Sequence, residues 1–114
     1  MGILSLLFGL SANAQVFQDT TNFQILDVRT PEEFSVSHVE GAQNIDFLNS
    51  SFQTKIQNLD KNKIYKVYCR SGNRSGQAEK LMKSLGFKDV ENLGSLSTAS
   101  KRLQRNCVGK NKNC

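Results

Sequence analysis

The residues best suited to chemistry lie in one short stretch, residues 64–75, which reads I-Y-K-V-Y-C-R-S-G-N-R-S. Its first half is rich in β-branched and aromatic residues and predicts a buried strand that ends at Cys69. The residues that follow are small, polar or cationic, and a helical pattern takes over from Ser75. The apolar face of that helix recurs with helical spacing at Ala78, Leu81, Met82 and Leu85. The sequence therefore predicts a strand, a tight loop and a helix, with a cysteine where the strand ends.

This position of Cys69 suits anion chemistry. In α/β sheets, ligands bind at the carboxyl ends of the strands. Free N–H groups of the loop and the first helical turn, with Arg70 and Arg74 beside them, attract an anion. The same groups would stabilise a thiolate and lower the pKa of Cys69, which would make the cysteine nucleophilic. A buried, inert cysteine is the alternative, but two arginines and Gly72 within the five following residues favour the reactive interpretation.

The elements upstream of this stretch have clear local signals. Residues 23–28 (F-Q-I-L-D-V) predict a first strand. Thr30, Pro31 and Glu33 fit the N-cap, N1 and N3 positions of a helix with a capping box. That helix is expected to be short and to end by Gly41.

The remaining elements complete an alternating order. In chain order they are a short strand at 42–45, a helix capped by Ser50 or Ser51 that buries Phe52, Ile56 and Leu59, a turn at 60–63, a helix end at Gly86, a strand at 90–93 and a helix at 97–105. Strands that alternate with helices imply right-handed crossovers and a mostly parallel sheet with helices on both faces. With 114 residues the chain is long enough for one domain and too short for two. The predicted fold is a single α/β domain.

Composition limits the classes of partner. The hydrophobic content of 38% and charged content of 22% fit a soluble globular domain, and the formal net charge is +5. The positive excess is concentrated after Glu91, where no further acidic residue occurs. Because no aromatic residue is interleaved with these charges, a solvated basic tail that attracts small anions is favoured over a nucleic-acid surface. We expect no nucleic-acid partner.

The N-terminus resembles a secretory signal. Residues 3–10 form an apolar run too short to span a bilayer, and Ala12-Asn13-Ala14 matches a cleavage site that predicts a mature start at Gln15. No Lys or Arg precedes the apolar run, and the alternative is an apolar strand or helix that belongs to the fold. We predict that residues 1–14 are a signal peptide, and that the protein is exported to the periplasm without stable membrane insertion. If the segment is not a signal, a cytoplasmic protein is expected.

Cys107 and Cys114 are the other two cysteines. In an exported protein they would form a disulfide and leave Cys69 as the reactive thiol. With a single histidine and no zinc-like cysteine spacing, neither a metal nor a cofactor is predicted. We therefore place the domain at residues 15–106 and a basic, cysteine-containing tail at 107–114.

Two motifs together resemble a known family. Residues 26–45 read L-D-V-R-T-P-E-E-F-S-V-S-H-V-E-G-A-Q-N-I, and residues 68–75 read Y-C-R-S-G-N-R-S. In this order and spacing they resemble the N-terminal signature and the catalytic loop of single-domain rhodaneses, which are sulfurtransferases. The resemblance covers residues 23–93. The signature positions that match are Asp27, Arg29, Glu33, Phe34, His38, Gly41, Ala42, Asn44 and Ile45.

The resemblance implies a rhodanese-like fold and a two-step reaction. Cys69 would take a sulfur atom from thiosulfate or a similar anionic donor as a persulfide, and a thiol or cyanide would accept it. Backbone N–H groups of the loop would cradle the sulfur, with Arg70 pointing outward to the donor and Arg74 bracing the loop. Ser71 and Ser75 are expected to bind substrate through their hydroxyls, and Ser75 would also cap the helix. The other expected substrate-binding positions are Gly72, through its backbone shape, and Asn73.

Loop length and neighbouring residues leave several alternatives open. Four residues separate Cys69 from Arg74, one fewer than in tyrosine-phosphatase-like loops, so the ring favours sulfur over phosphate. A phosphatase or arsenate reductase, a non-enzymatic sulfur-carrying or partner-binding module, and a redox relay among the three cysteines remain as competing functions. For Asp27, Arg29, Glu33 and His38 a structural, supporting role is favoured over a catalytic one.

Two features of the family pattern are absent from this chain. Leu93 is followed by Gly94 and Ser95 where the family often has two glycines, and the sequence contains no Trp. The identity of the physiological donor and acceptor and the oligomeric state do not follow from the sequence.

Overall fold

A computed structural model describes residues 22–114, so the predicted signal peptide and its cleavage site lie outside the described residues. Four parallel strands form the central sheet in the order β3-β1-β4-β5. These strands are β1 (Gln24–Asp27), β3 (Gln43–Asn44), β4 (Ile64–Cys69) and β5 (Asp89–Ser95). A second, antiparallel pair joins β2 (His38–Val39) to β6 (Cys107–Val108).

Four helices connect these strands within residues 22–114: α1 (Pro31–Val36), α2 (Phe52–Gln57), α3 (Asn73–Ser84) and α4 (Leu96–Leu103). None of the helices in this part of the chain is long and apolar enough to cross a membrane. The order of strands and helices confirms the predicted α/β architecture.

Each face of the central sheet carries its own apolar core. On one face, Leu26 and Val67 pack with α2 and α3 through Ile56 and Met82. On the other face, Ile25, Tyr68 and Leu93 pack with Ala99 of α4 and with Val39 and Cys107 of the small sheet. Alternate residues of β1 and β4 therefore point to opposite cores, as expected of a sheet covered on both sides.

Helix α1 begins as the sequence predicts and ends earlier than expected. The Thr30 side chain accepts a hydrogen bond from the Glu33 N–H, and the Glu33 carboxylate accepts one from the Thr30 N–H, which completes the capping box. The helix stops at Val36, well before Gly41, because the next residues leave the helix to form β2. Strand β2 pairs with β6, which lies near the C-terminus, so no local sequence pattern reveals β2.

Helix α2 corrects the predicted cap. Ser51 occupies the N-cap position but its side chain makes no capping hydrogen bond; its hydroxyl donates instead to Asn49 Oδ1 at 2.6 Å. Phe52 and Ile56 are buried as predicted, whereas Leu59 lies beyond the helix end and is only partly buried.

The C-terminal tail is attached to the domain rather than free. Cys107 and Cys114 form a disulfide, as predicted for an exported protein. Two backbone N–H groups of the tail donate to the carbonyls of Ser35 and Val36 at the end of α1, at 3.1 and 3.0 Å. The Ser37 hydroxyl donates to the Asn113 carbonyl at 2.6 Å. The tail therefore closes over the end of α1 and continues the fold beyond residue 107.

Candidate active site

The loop between β4 and α3 surrounds a buried cysteine. Cys69 is the last residue of β4, and its side chain is 0% exposed. Helix α3 begins at Asn73, two residues before the point where the apolar periodicity becomes visible in the sequence. Its N-cap residue, Gly72, has a left-handed φ of 98°, and a Cβ there would lie 3.3 Å from the Gly94 Cα. Both the left-handed backbone conformation and the close approach of β5 therefore favour glycine at this position.

Ser75 has a different role from the cap that the sequence suggested. It lies inside the first turn of α3 and is fully buried, and the N-cap position belongs to Gly72. The Ser75 hydroxyl lies 3.3 Å from Cys69 Sγ and 2.7 Å from Asn92 Oδ1. Its side chain therefore faces the sulfur.

Hydrogen bonds shift the Cys69 thiol toward its ionised form. Burial raises the pKa of Cys69, but hydrogen bonds from the Ser75 hydroxyl and from the backbone N–H groups of Ser75, Gly72 and Ser71 lower the pKa and outweigh burial. The Gly72 N–H donates to Sγ at 3.0 Å. The pKa of Cys69 consequently lies below that of an ordinary thiol, which increases the thiolate fraction at neutral pH.

Arg74 connects the loop to α1. Its guanidinium donates to both carboxylate oxygens of Glu33, at 2.8 and 3.1 Å. Hydrogen bonding to Arg74, assisted by the Thr30 cap and opposed by burial, lowers the pKa of Glu33 to about 2. A guanidinium held in this bidentate pair braces the first turn of α3 against α1.

Asp27 and Arg29 form a buried pair at the end of β1. Arg29 Nε and Nη2 donate to the two carboxylate oxygens of Asp27, and Nη2 also donates to the Ser37 carbonyl at 2.6 Å. Asn44 Nδ2 donates to the backbone carbonyls of both residues, at 2.9 Å each. These contacts fix the chain that leaves β1 beside the loop of β4.

His38 is engaged by α1. Its ring stacks on Phe34 with the two centroids 3.6 Å apart, and Nδ1 lies 2.8 Å from the Phe34 carbonyl oxygen. Both contacts orient the ring along the helix that carries Glu33. These two contacts explain His38 as a structural residue, and neither of them requires it to act as a general base.

The outer residues of the loop are solvent-exposed. Arg70, Ser71 and Asn73 all lie at the surface, and the Asn73 side chain accepts a hydrogen bond from Gln77 Nε2 at 3.1 Å. Ser71 contributes to Cys69 through its backbone N–H rather than through its hydroxyl. Arg70 places a positive charge at the surface of the loop.

Asn92 of β5 is the loop contact that sequence reasoning missed. Its side chain reaches Ser75, Gly72 and Gly94. The only sequence signal for it is a polar residue between Val90 and Leu93 in a predicted buried strand. Gly94 itself has a left-handed φ of 88° and forms the wall opposite Gly72.

The disulfide bears on the redox-relay alternative. Because Cys107 is bonded to Cys114, neither thiol is free to resolve Cys69. In the described part of the chain Cys69 is the one free cysteine. The arrangement disfavours a relay and leaves Cys69 as a free thiol.

Comparison with known proteins identifies the family. The sequence profile of the rhodanese-like domain matches residues 12–97, which is most of the chain. The chain belongs to the rhodanese family. It is 41% identical over 71 residues to the thiosulfate sulfurtransferase PspE of Escherichia coli, an alignment that covers 62% of this chain and 68% of PspE. It is also 33% identical over 84 residues to the putative sulfur carrier protein YrkF of Bacillus subtilis, covering 74% of this chain and 44% of that one.

Solved rhodanese structures share the fold. A rhodanese with anions from E. coli superposes with a TM-score of 0.58 at 38% identity, covering 68% of this chain and 91% of that one. A rhodanese-like domain of Alr3790 from Anabaena superposes with a TM-score of 0.66 at 26% identity, covering 82% and 98%. These matches confirm the predicted family and fold, and this rhodanese is a transferase of the sulfurtransferase class.

Proposed function

We propose that this rhodanese transfers sulfane sulfur from thiosulfate, or a similar anionic donor, to a thiol or to cyanide through a persulfide on Cys69. The observation that carries the proposal is the hydrogen-bonded cradle of Cys69 Sγ, formed by the Gly72 N–H at 3.0 Å and the Ser75 hydroxyl at 3.3 Å. Such donors stabilise negative charge on sulfur in the free enzyme and at each transfer step.

In the first step, the Cys69 thiolate attacks the outer sulfur of thiosulfate. A new S–S bond forms to Sγ, the S–S bond of thiosulfate breaks, and sulfite leaves with the electron pair. Arg70, exposed at the loop, attracts the dianionic donor. Because Cys69 is fully buried, the loop must open locally before the donor reaches Sγ.

In the second step, a thiolate or cyanide attacks the outer sulfur of the persulfide. The S–S bond to Sγ breaks and its electron pair returns to Cys69 as the thiolate. The backbone N–H groups of Gly72 and Ser75 receive that charge again. The cycle needs no external oxidant or reductant, since sulfane sulfur is only passed on.

Phosphoryl chemistry has less support than sulfur transfer. A phosphatase loop of this type directs its arginine at the phosphoryl oxygens, whereas Nη1 and Nη2 of Arg74 each donate to the Glu33 carboxylate. The loop is also one residue shorter than in phosphatases of this kind. The loop geometry therefore supports binding of a single sulfur atom over binding of a phosphoryl group.

The direct test incubates the protein with thiosulfate and cyanide and measures thiocyanate. We expect turnover, together with one additional sulfur atom on Cys69 in the mass spectrum before cyanide is added. Cys69→Ser should abolish both signals, while the matched double variant Cys107→Ser/Cys114→Ser should retain them. Protein with a free Cys69 thiol that gives neither thiocyanate nor a persulfide would falsify the proposal.

We also propose that the protein is exported. Support comes from the apolar run and cleavage motif in residues 1–14 and from the Cys107–Cys114 disulfide, since disulfides persist in oxidising compartments. Cell fractionation and N-terminal sequencing test this, with the expected mature chain starting at Gln15 in the periplasm. A cytoplasmic chain that retains its N-terminal segment would contradict export.

A further inference from the structure

Asn92 lies beside the loop between β4 and α3, and both polar atoms of its side chain form hydrogen bonds. Its Oδ1 accepts hydrogen bonds from the Ser75 hydroxyl at 2.7 Å and from the Gly94 N–H at 2.9 Å. Its Nδ2 donates to the Gly72 carbonyl at 3.1 Å. Because the Gly94 N–H can only donate and the Gly72 carbonyl can only accept, the orientation of the amide is fixed.

Two local features aim this side chain at the loop. The pairing of β4 with β5 shifts register, so that Val67 lies opposite Asn92 while Tyr68 lies opposite Gly94, and Leu93 is the additional residue. Bulges of this kind reorient side chains beside active sites. On the facing helix, Gly76 leaves room for the amide, since a Cβ there would lie 3.3 Å from Asn92 Nδ2.

The Ser75 hydroxyl has two acceptors and only one proton. Cys69 Sγ lies 3.3 Å from Ser75 Oγ, and Asn92 Oδ1 lies 2.7 Å from it. A hydroxyl donates one hydrogen bond, so the two contacts are alternatives at any instant. We propose that Asn92 is a positioning residue that holds the Ser75 hydroxyl proton while the Cys69 sulfur is protonated or carries a second sulfur, and yields it to the free thiolate.

The proposed cycle involves rotation about the Cβ–Oγ bond of Ser75 and no covalent change. With Cys69 as a thiol, the S–H donates to Ser75 Oγ and the hydroxyl donates to Asn92. When the thiolate forms, the hydroxyl turns to Sγ, and Asn92 Oδ1 keeps its bond from the Gly94 N–H. In the persulfide the charge resides on the outer sulfur, so the hydroxyl returns to Asn92.

This competition limits how strongly the thiolate is stabilised. A thiolate that receives the undivided Ser75 hydroxyl would be more abundant but less nucleophilic, because nucleophilicity falls as the thiol pKa falls. Because the hydroxyl must give up its bond to Asn92 Oδ1 when it turns to Sγ, the net stabilisation of the thiolate is smaller and Cys69 keeps more of its nucleophilicity.

The charged groups around Cys69 are left unchanged by the test. Arg74 of α3 acts on the thiolate directly, while Glu33 of α1 and Asp27 of β1 act on that same guanidinium.

The inference rests on the proposed role of Cys69, but its measurement uses alkylation and needs no sulfur donor. A failure of the persulfide test and a failure of this inference are therefore distinguishable.

The test compares the pKa of Cys69, from the pH dependence of iodoacetamide alkylation, in wild type, Asn92→Ala, Ser75→Ala and the double variant. Asn92→Ala should lower the pKa by about 0.5, which is roughly a threefold higher ratio of thiolate to thiol at a given pH. Ser75→Ala should raise the pKa, and adding Asn92→Ala to it should change nothing further. Asn62→Ala, on a distant exposed turn, is the matched control and should leave the pKa at the wild-type value.

A purely structural role for Asn92 predicts the opposite shift in the pKa of Cys69. If Asn92 only holds the loop in place, its removal would loosen the Gly72 N–H contact and raise the pKa by the same amount with or without Ser75. An unchanged or raised pKa in Asn92→Ala overturns the proposal.

A second measurement covers the case in which Asn92→Ala does not fold. In ¹³C NMR of the wild-type protein, the Asn92 side-chain carbonyl should shift as Cys69 titrates, because it gains and loses the Ser75 hydrogen bond. The shift should vanish in Ser75→Ala and in Cys69→Ser. A carbonyl that does not respond to the Cys69 titration in wild type would also overturn the proposal.

Discussion

At the scale of single residues, the site depends on how the Cys69 sulfur is solvated by the protein. A buried thiolate without donors would be costly, and burial alone raises the pKa of Cys69. The Ser75 hydroxyl and three backbone N–H groups reverse that shift because they point at the sulfur from the first turn of α3 and the loop before it. The pKa of Cys69 is therefore lowered by hydrogen-bond donors rather than by a neighbouring base.

The pH dependence of sulfur transfer should report this balance. Because the pKa of Cys69 is lowered and the thiolate is the reactive form, the rate with saturating cyanide should fall as pH falls through that pKa. In Ser75→Ala the acid limb of kcat/KM for thiosulfate should move to higher pH, with a loss of about tenfold at low pH. An acid limb that stays in place would show that Ser75 does not act on Cys69. Ser84→Ala, at the far end of α3, serves as the matched control.

The backbone conformation of Gly72 gives a separate prediction. Gly72→Ala places a Cβ at a φ of 98° and 3.3 Å from the Gly94 Cα. The strain should lower the free energy of unfolding by about 1–2 kcal/mol and displace the Gly72 N–H from Cys69. Urea denaturation measures the first effect and the alkylation rate of Cys69 the second. Gly86→Ala, at a φ of 98° but with only a side-chain atom of Lys61 nearby, separates backbone strain from the effect on the site.

At the scale of elements, the loop is fixed by two neighbours that come from distant parts of the chain. Helix α1 holds Arg74 through Glu33, and strand β5 holds Gly72 and Ser75 through Asn92. These contacts clamp the N-terminus of α3 from two sides. The loop geometry is therefore a property of three elements together.

The Glu33–Arg74 pair should make stability depend on pH. The pKa of Glu33 is about 2 in the folded chain and about 4.3 when unfolded, so its contribution is fully present above pH 4.3 and is lost as pH falls toward 2. Glu33→Gln keeps the capping box but should lower the free energy of unfolding at pH 7 by on the order of 2 kcal/mol. Its stability should then change less than that of wild type between pH 5 and pH 2.

Urea denaturation at several pH values measures this dependence. The matched control is Glu32→Gln, which lies next to Glu33 on α1 but is exposed. It should behave like wild type at every pH. Equal pH dependence in Glu33→Gln and wild type would show that the ion pair does not contribute to folding.

At the scale of the whole molecule, several of the basic residues that follow Glu91 make contacts within the folded domain. Arg102 pairs with Glu91 at 2.5 Å, and Glu91 also binds Lys66 at 2.6 Å. The Arg105 guanidinium lies over the Phe23 ring, 5.6 Å from its centroid. Part of the late positive charge is therefore engaged within the fold rather than free for partners.

The disulfide is expected to support stability without taking part in transfer. Replacing both Cys107 and Cys114 with Ser should lower the free energy of unfolding by about 2.5 kcal/mol, the loop-closure value for an eight-residue ring. The Cys69 contacts do not include the tail, so thiocyanate formation by the folded double variant should stay near the wild-type rate. Thermal denaturation and the thiocyanate assay measure the two effects. A loss of activity while the domain remains folded would instead connect the tail to the site.

The sequence by itself determined the elements that local patterns encode. The capping box of α1, the apolar strand that ends at Cys69 and the end of α3 at Gly86 each depend on residues that are close together in the sequence. The order of these elements implied a parallel sheet, and the spacing of Cys69 and Arg74 implied a small anion-binding ring. Each signal is short-range, because it comes from side-chain periodicity or from a backbone group left unpaired at a helix end.

Only the tertiary structure decided which distant residues complete that ring. Glu33 meets Arg74 and Asn92 meets Ser75 because parallel strands bring the ends of β1, β4 and β5 to one edge, and a β-bulge then turns Asn92 toward α3. Strand β2 likewise needs β6 from the far end of the chain. These contacts join residues separated by long stretches of chain, so no local pattern carries them. The candidate cysteine and the loop donors around it follow from the sequence, but the contacts of Glu33 and Asn92 that hold this loop do not.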